Sequence, residues 1–204
     1  MTYRMARAIA VAALFCAAPA FAGNTLIAQG QSVAVAKSTL TVTPDREWNK
    51  MGARPGRVSE TWTIDGDGLN DLTFYGGIDN DQTLFREVDK ATKPLPHFAS
   101  NMLLTDVPTL LENSYSIALG TQLMKIDSVE PTTFLGQKGV RFSFTFTRPD
   151  EEVRRKGDGS AAIIGGKLYM ITFEAPDVYY YQRDLPAYQA IVASGALAAG
   201  SGAK

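Results

Sequence analysis

An acidic run offers the side chains best suited to binding a cation. Carboxylates alternate with glycines between Asp65 and Asp71, and carboxylates on a tight loop can converge on a hard ion such as Ca²⁺. An EF-hand loop does not fit, because Leu69 stands at the third ligand position and Gly76 at the twelfth, where a bidentate glutamate is required. The Asp-Asn-Asp triplet at 79–81 could approach this loop and share a weak cation. We expect turns at both places and no bound metal.

His97 is the only histidine, so any mechanism that needs an imidazole must use it. It lies in an extended, proline-rich loop at 93–98, and Ser100 is too close in sequence to indicate a catalytic triad. The chain has no Gly-x-Ser-x-Gly elbow. A single histidine also cannot form a multi-histidine zinc site. We expect His97 to pack in its loop and to be dispensable.

Paired carboxylates are the remaining catalytic option, because a glycosidase needs only two acids about 5–9 Å apart. The chain has 21 acidic residues, so the availability of pairs is no evidence that two of them share a cleft. A periplasmic hydrolase therefore remains the alternative function, and a cleft with two facing acids of raised pKa would favour it. The glutamates considered for this role are Glu47, Glu60, Glu112, Glu130 and Glu174.

Aromatic residues favour binding over catalysis. Two roles are open to the large aromatic residues Trp48, Trp62 and Tyr75: they could form part of a binding surface or pack in the hydrophobic core. Trp62 lies on a predicted strand, and we expect its side chain to pack in the core. Three consecutive rings cannot all point inward, and exposed tyrosines are typical of binding hot spots. The predicted partner-binding residues are therefore Tyr179, Tyr180 and Tyr181.

The first 22 residues have the pattern of a cleavable secretory signal. Arg4 and Arg7 form a charged region, residues 9–18 form an apolar stretch, and a small-x-small pattern ends at Ala22. A membrane span would need roughly 20 apolar residues, about twice the length present here. We expect cleavage after Ala22 and a mature protein that is periplasmic or secreted, with no transmembrane segment.

A lipid anchor on Cys16 is disfavoured, because Ala13 and Phe15 precede it where a branched apolar residue and a small residue are needed. Cys16 would leave with the signal, and the mature chain would then contain no disulfide, thiolate nucleophile or thiol-rich zinc site. Loss of Arg4 and Arg7 leaves 18 basic against 21 acidic residues, a net charge of −3. We therefore expect no nucleic acid partner and no cofactor. The sequence is compatible with an envelope protein partner or with an envelope-assembly factor that works only inside a complex, and the oligomeric state stays open.

The strongest structural pattern is an alternation in which Phe142, Phe144 and Phe146 share one face of a predicted strand. We expect the segment 150–160 to be a polar hairpin connection to a second long strand at 161–174. Asp184 is the predicted cap of a closing helix that ends at Gly195. The other predicted elements are strands at 40–42, 58–64, 72–78 and 122–134, and a helix at 106–118.

This order predicts an α+β fold in which an antiparallel sheet packs against helices. The length suits a single domain at 23–195, which would follow the signal at 1–22. The Gly, Ala and Ser content of residues 196–204 predicts a flexible tail.

The strand 168–176, the tyrosine-rich link and the helix 185–194 resemble the closing strand and helix of PsbP-like domains. That superfamily includes the Ran-binding Mog proteins, and the chain also resembles a secreted or lipid-anchored proteobacterial branch. The resemblance extends loosely from Leu40 to Gly195 and consists of core positions. It implies a non-enzymatic α/β/α sandwich that binds a protein partner, and it transfers no site residues.

Overall fold

The computed structural model describes residues 23–121, 123–149 and 151–198. The predicted signal at 1–22, with Cys16, lies outside the described residues. Within these ranges the chain forms two helices, α1 (Val107–Ala118) and α2 (Tyr180–Ser194), and a 3-10 turn (Leu104–Asp106) precedes α1. The strands are β1 (Thr25–Ile27), β2 (Val33–Ala34), β3 (Leu40–Val42), β4 (Trp48–Lys50), β5 (Ser59–Thr63), β6 (Asp71–Ile78), β7 (Lys125–Phe134), β8 (Gln137–Thr147), β9 (Arg154–Ile164), β10 (Lys167–Pro176) and β11 (Ala196–Leu197).

Eight strands form one antiparallel sheet in the order β1-β4-β5-β6-β10-β9-β8-β7. Strands β4 to β6 form one consecutive meander, at whose outer edge β1 pairs with β4, and β7 to β10 form another. The two halves meet at β6 and β10, which we call the seam. At one end of the seam, Asp71 of β6 lies opposite Glu174 of β10.

Each face of the sheet carries a helix and its own hydrophobic core. On one face, Tyr188 and Ile191 of α2 pack with Trp62 and Phe173. On the other face, Leu111 of α1 packs among the β8 phenylalanines. Alternate residues of each strand supply the two cores, because successive side chains point to opposite faces. The fold is therefore α+β with helices on both faces of an antiparallel sheet, as the sequence predicts.

The phenylalanine alternation is confirmed, since Phe142, Phe144 and Phe146 are all buried in the α1-side core. The predicted hairpin connection at 150–160 is wrong, because most of it is strand β9. Gly157 and Gly159 lie opposite Phe144 and Phe142 in the strand register. A Cβ at either glycine would clash with the facing phenylalanine ring, so the glycines make room for the rings and are not turn residues.

The predicted strand 161–174 is correspondingly two strands. Gly165 and Gly166, both at positive φ (58° and 75°), form the turn between β9 and β10. Glycine adopts this left-handed conformation without the penalty that a Cβ imposes. The short turn makes β9 and β10 adjacent, which completes the four-stranded meander.

Helix α2 also begins earlier than predicted. It starts at Tyr180, with Pro186 inside it, and Asp184 is a fully buried helical residue rather than the cap. Its end at Gly195 is confirmed. Beyond that glycine, β11 pairs with β3 in a second, three-stranded sheet, β11-β3-β2. The first two residues of the predicted flexible tail are therefore strand residues, and residues 199–204 lie outside the described part.

Neither helix in the described ranges has the length and apolar character that crossing a bilayer requires.

Candidate functional site

Asn70 organises the acidic loop that invited a calcium interpretation. Its side chain is fully buried, and its carbonyl oxygen accepts hydrogen bonds from the Thr63 hydroxyl (2.6 Å) and the Ile64 amide (2.9 Å). Its amide nitrogen donates to Asp65 (2.6 Å) and Asp184 (2.9 Å). One asparagine therefore fixes the loop and ties it to α2.

The carboxylates of this loop are directed to separate partners. Asp65 pairs with Arg183, and Asp71 accepts from the Gly68 amide (3.0 Å) and from Arg148 (3.2 Å). Among the described residues, no group of three or more His, Cys, Asp or Glu side chains is arranged to hold a metal ion. The local geometry is that of a turn fastened by two arginines.

His97 lies on an exposed loop and faces acids. Its Nδ1 is 2.9 Å from Asp81 Oδ1, and its Nε2 is 3.9 Å from Glu87 Oε1. Residue His97 also forms a single β-bridge with Thr83. These contacts place the ring in the packing of its own loop.

The three consecutive tyrosines occupy different environments. Tyr181 is 8% exposed, stacks on Phe173 with ring centroids 6.1 Å apart, and donates to Asp158. Burial, followed by the nearby Asp158, raises the pKa of Tyr181 above its usual range. Tyr180 is half-buried, and Tyr179 is 59% exposed.

Arg183 fixes the orientation of the outer two rings. Its guanidinium carbon lies 5.2 Å from the Tyr179 ring centroid and 5.0 Å from that of Tyr180. Cation–π contacts of this length are attractive. The same arginine forms ion pairs with Asp65 and Asp184. The exposed Tyr179 ring therefore packs against a side chain whose position is fixed.

Exposed apolar side chains surround Tyr179 at this end of the molecule. Val178 is 87% exposed and Val153 42%. Together these three residues form what we call the tyrosine patch. They line a cavity of about 530 Å³ whose remaining wall includes Arg148 and Arg155. The patch has the combination of aromatic and aliphatic surface that protein interfaces use.

A second cavity, the acid cleft, lies on the α1 side of the seam and has a volume of about 470 Å³. Its polar wall contains the facing acids Asp71 and Glu174, with Arg148 Nη2 3.2 Å from an oxygen of each. The hydroxyl of Tyr115 donates to the other Glu174 oxygen (2.6 Å). Phe85 and several aliphatic residues supply the apolar wall.

The environment of Asp71 favours its neutral form. Burial and then the adjacent Glu174 carboxylate raise its pKa to about 7, against the opposing effects of the Gly68 amide and Arg148. A carboxyl that titrates near neutral pH in a cleft is a recognised mark of functional sites, although structural ion-pair networks produce it too.

The other acidic and aromatic candidates lie outside both cavities or in the core. Glu60 is buried and accepts from the Trp62 indole (2.8 Å) and Lys50 (2.9 Å), and Glu130 pairs with Arg141 at 2.7 Å. Glu47 is exposed and Glu112 is partly buried on α1. Trp62 is fully buried, which confirms its predicted core position; Trp48 and Tyr75 are also fully buried.

Sequence reasoning missed the cluster of Asp71, Arg148 and Arg155 and did not single out Glu174 among the glutamates. A signal was present, since charged residues within otherwise apolar strands are rarely buried without a partner. Asp71 begins an apolar strand and Glu174 nearly ends one. The sequence does not show that Asp71 and Glu174 lie side by side, because this depends on the pairing of two strands that are distant in sequence.

Comparison with known proteins identifies the fold. No family model matches the chain, and neither does any curated protein. The solution structure of CyanoP, the PsbP protein of the cyanobacterium Synechocystis, matches over 90% of this chain and 98% of its own, at 16% identity and a TM-score of 0.51. LpqN, involved in cell envelope biogenesis of Mycobacterium tuberculosis, matches over 85% of this chain and 89% of its own, at 11% identity and a TM-score of 0.34. The CyanoP match gives this chain a PsbP-like fold.

Proposed function

We propose that this PsbP-like protein is exported and non-catalytic, and that it binds a protein partner of the cell envelope through the tyrosine patch. The observation that carries the proposal is the exposure of Val178 and Tyr179, at 87% and 59%, beside a cavity that can receive a side chain. Contiguous exposed apolar surface is uncommon on monomeric proteins and marks interaction sites. Export rests on the predicted signal at 1–22.

The three tyrosines have distinct roles in this proposal. Tyr179 is the anchor that a partner covers, and Tyr180 supports it through their edge-to-face contact, with centroids 5.3 Å apart. Tyr181 is buried and fixes the start of α2 through Asp158. A rigid aromatic anchor loses little conformational freedom on binding, which favours affinity.

The test is affinity capture of the protein from its native envelope, with substitutions inside and outside the patch. Val178→Asp and Tyr179→Ala should each release a specific partner, because truncation of a true hot spot costs about 2 kcal/mol or more. Leu103→Asp is the matched control, since Leu103 is exposed but lies away from the patch. His97→Ala should also retain the partner.

Two results would contradict the proposal. One is retention of every captured protein by both patch variants, with circular dichroism confirming that they fold. The other is loss of cellular function with His97→Ala while the patch variants remain active in a complementation assay. The second result would favour an enzyme.

The acid cleft supports a second candidate, a hydrolase that uses Asp71 and Glu174. The observation in its favour is the raised pKa of Asp71 opposite a second carboxylate, as a general acid requires. Against it, each of the four carboxylate oxygens accepts from a donor of the protein itself: Gly68, Arg148 or Tyr115. Hydrolysis of an aryl glycoside panel that is lost in both Asp71→Asn and Glu174→Gln would establish this candidate, and inactivity of the unmodified protein would leave the cluster a structural network.

A further inference from the structure

Arg155 is a buried cation that lacks close hydrogen bonds, and its guanidinium carbon lies 5.7 Å from the Phe146 ring centroid. Its side chain is 1% exposed, yet its Nε and Nη2 atoms have no hydrogen-bond partner among the described residues. Its nearest carboxylate oxygens lie 3.5 Å from Nη1, on Glu151, and 3.9 Å from Nη2, on Glu174. Buried guanidinium groups are normally compensated by close, charge-assisted hydrogen bonds of about 2.7–2.9 Å.

Arg148 lies beside it and shares the same loosely held carboxylate. Its Nη1 is 3.8 Å from Glu151, and its Nε is buried without a partner in the described part of the chain. Glu151 therefore stands between two arginines without a close pairing to either. It belongs to the β8–β9 connection and is partly exposed, so its side chain can leave without disturbing a strand.

The two arginines and the tyrosine patch line one cavity. The arginines offer donors to an anion, and Val153, Val178 and Tyr179 offer apolar surface to an apolar group. The lining also contains three acidic residues, Asp67, Glu151 and Glu152. Arginine pairs bind carboxylates with defined geometry because the guanidinium presents a planar fork of donors. Glu151 lies 3.5 Å from Arg155 and 3.8 Å from Arg148, so one carboxylate already lies between the two arginines.

We propose that the site binds a carboxylate of the partner protein next to an apolar side chain, and that this carboxylate replaces Glu151 between Arg148 and Arg155. The apolar side chain then packs against Val178 and Tyr179. Glu151 acts as an internal competitor that keeps the arginines covered in the free protein. This inference rests on the proposed function and specifies the chemistry of the partner.

Three small probes test it by titration of the purified protein, followed by NMR or calorimetry. N-acetylphenylalanine carries a terminal carboxylate, N-acetyl-Phe-Glu-amide carries a side-chain carboxylate, and N-acetylphenylalanine amide carries none. We expect at least one carboxylate probe to bind at least tenfold more tightly than the neutral amide. Which of the two binds distinguishes a chain terminus from an acidic side chain as the source.

Glu151→Gln provides the decisive variant, because it removes the competitor without removing either arginine. It should tighten binding of the carboxylate probe several-fold. Glu152→Gln is the matched control, since Glu152 lines the same cavity but forms no ion pair with these arginines, and it should change affinity by no more than twofold. Arg155→Met should abolish binding if it folds, and Arg148→Lys, which keeps the charge and loses the fork, should weaken it.

Equal binding of the neutral and carboxylate probes, or unchanged affinity in Glu151→Gln, would overturn the carboxylate site. The proposed function has a separate readout, because Val178→Asp tests the patch by partner capture. Probe failure combined with partner loss in Val178→Asp would refute the carboxylate chemistry and leave the tyrosine patch in place.

Discussion

Arg148 explains how Asp71 and Glu174 can lie side by side away from water. Its Nη2 reaches one oxygen of each carboxylate at 3.2 Å, and Arg155 adds a second positive charge near Glu174. Two acids and two arginines thus form a compact charged cluster at the end of the seam. Breaking such a buried arrangement by removing one member is expected to cost more than the arrangement contributes in total.

Asp71 should make stability depend on pH in a defined direction. Its folded pKa of about 7 exceeds the ordinary value of 3.8, so between about pH 4 and 7 the folded state retains a proton that the unfolded state has released. Stability from this group therefore falls as pH rises through that window and levels off above it. Asp71→Asn should remove this dependence, which amounts to a few kcal/mol at roughly 1.4 kcal/mol per pKa unit.

The measurement is urea unfolding of both proteins at pH 5 and pH 8. We expect the free energy of unfolding of Asp71→Asn minus that of the unmodified protein to be larger at pH 8 than at pH 5, because only the unmodified protein loses stability over that interval. A difference that is the same at both pH values would mean that Asp71 ionises normally in the folded protein.

Calcium should not bind the Asp65 to Asp71 loop with specific affinity. Asp65 is engaged by Arg183 and Asn70, and Asp71 by Gly68 and Arg148, so a cation would have to displace arginines. Calorimetric titration should detect nothing tighter than about 1 mM, the level of weak extracellular sites. A stoichiometric, micromolar isotherm would contradict this.

At the scale of elements, strands β8 and β9 depend on each other through ring and glycine pairs. Phe142 lies opposite Gly159 and Phe144 opposite Gly157. Each ring occupies the space above a glycine, so the α1-side core extends across a strand that contributes little side-chain volume there. The alternation of β8 is therefore visible in sequence, whereas its complement in β9 resembles a turn.

Phe144→Ala should destabilise the protein by on the order of 3–5 kcal/mol, because it removes a buried ring from the core. Ser143→Ala, one residue away on the opposite face, should cost about 1 kcal/mol, since it removes only the 2.7 Å hydrogen bond with Ser128. Urea melts of the two variants make the comparison. Equal losses would show that the two faces of β8 are wrongly assigned.

Gly157→Ala should also destabilise, because its new methyl group would overlap the Phe144 ring. The Phe144→Ala/Gly157→Ala double variant should lose less stability than the sum of the two single variants, since the smaller residue at 144 leaves room for the methyl. A double-mutant cycle measures this coupling. Strict additivity would be incompatible with the clash.

Local patterns made much of the element order predictable. The β8 alternation, the α1 helix and the Gly195 end of α2 follow from residue spacing and terminal signals. The start of α2 could not be predicted, because Asp184 resembles a helix cap in the sequence. In the structure Asp184 is instead a buried partner of Asn70. The acid cleft was equally hidden, since its members come together only when the seam forms.

At the scale of the whole molecule, both candidate sites lie at the end of the seam where Asp71 is opposite Glu174. Asp67 and Arg148 line the tyrosine-patch cavity and the acid cleft alike. Loops that follow β5, β8 and β10 meet there, which concentrates side chains from distant parts of the sequence. The sheet of the PsbP-like fold thus positions these loops, and the loops carry the residues of both candidate sites.

The proposed export predicts the N-terminus of the mature protein. Protein isolated from its native cell should begin at Gly23, because the pattern ending at Ala22 predicts cleavage there. Intact-mass spectrometry of the native protein checks this directly. Recovery of a chain that still carries Met1, or of a lipid on Cys16, would exclude the predicted processing.

The seam also has a consequence for the order of folding. Each meander pairs strands that are close in sequence, whereas β6 and β10 pair only after a long loop has closed, and such non-local pairing is slow. We expect the two meanders to form first and to join along the seam late. Joining brings Asp71 against Glu174, and between about pH 4 and 7 it requires Asp71 to take up a proton. Refolding should therefore accelerate as the pH falls through that window, because the proton needed for joining becomes more available.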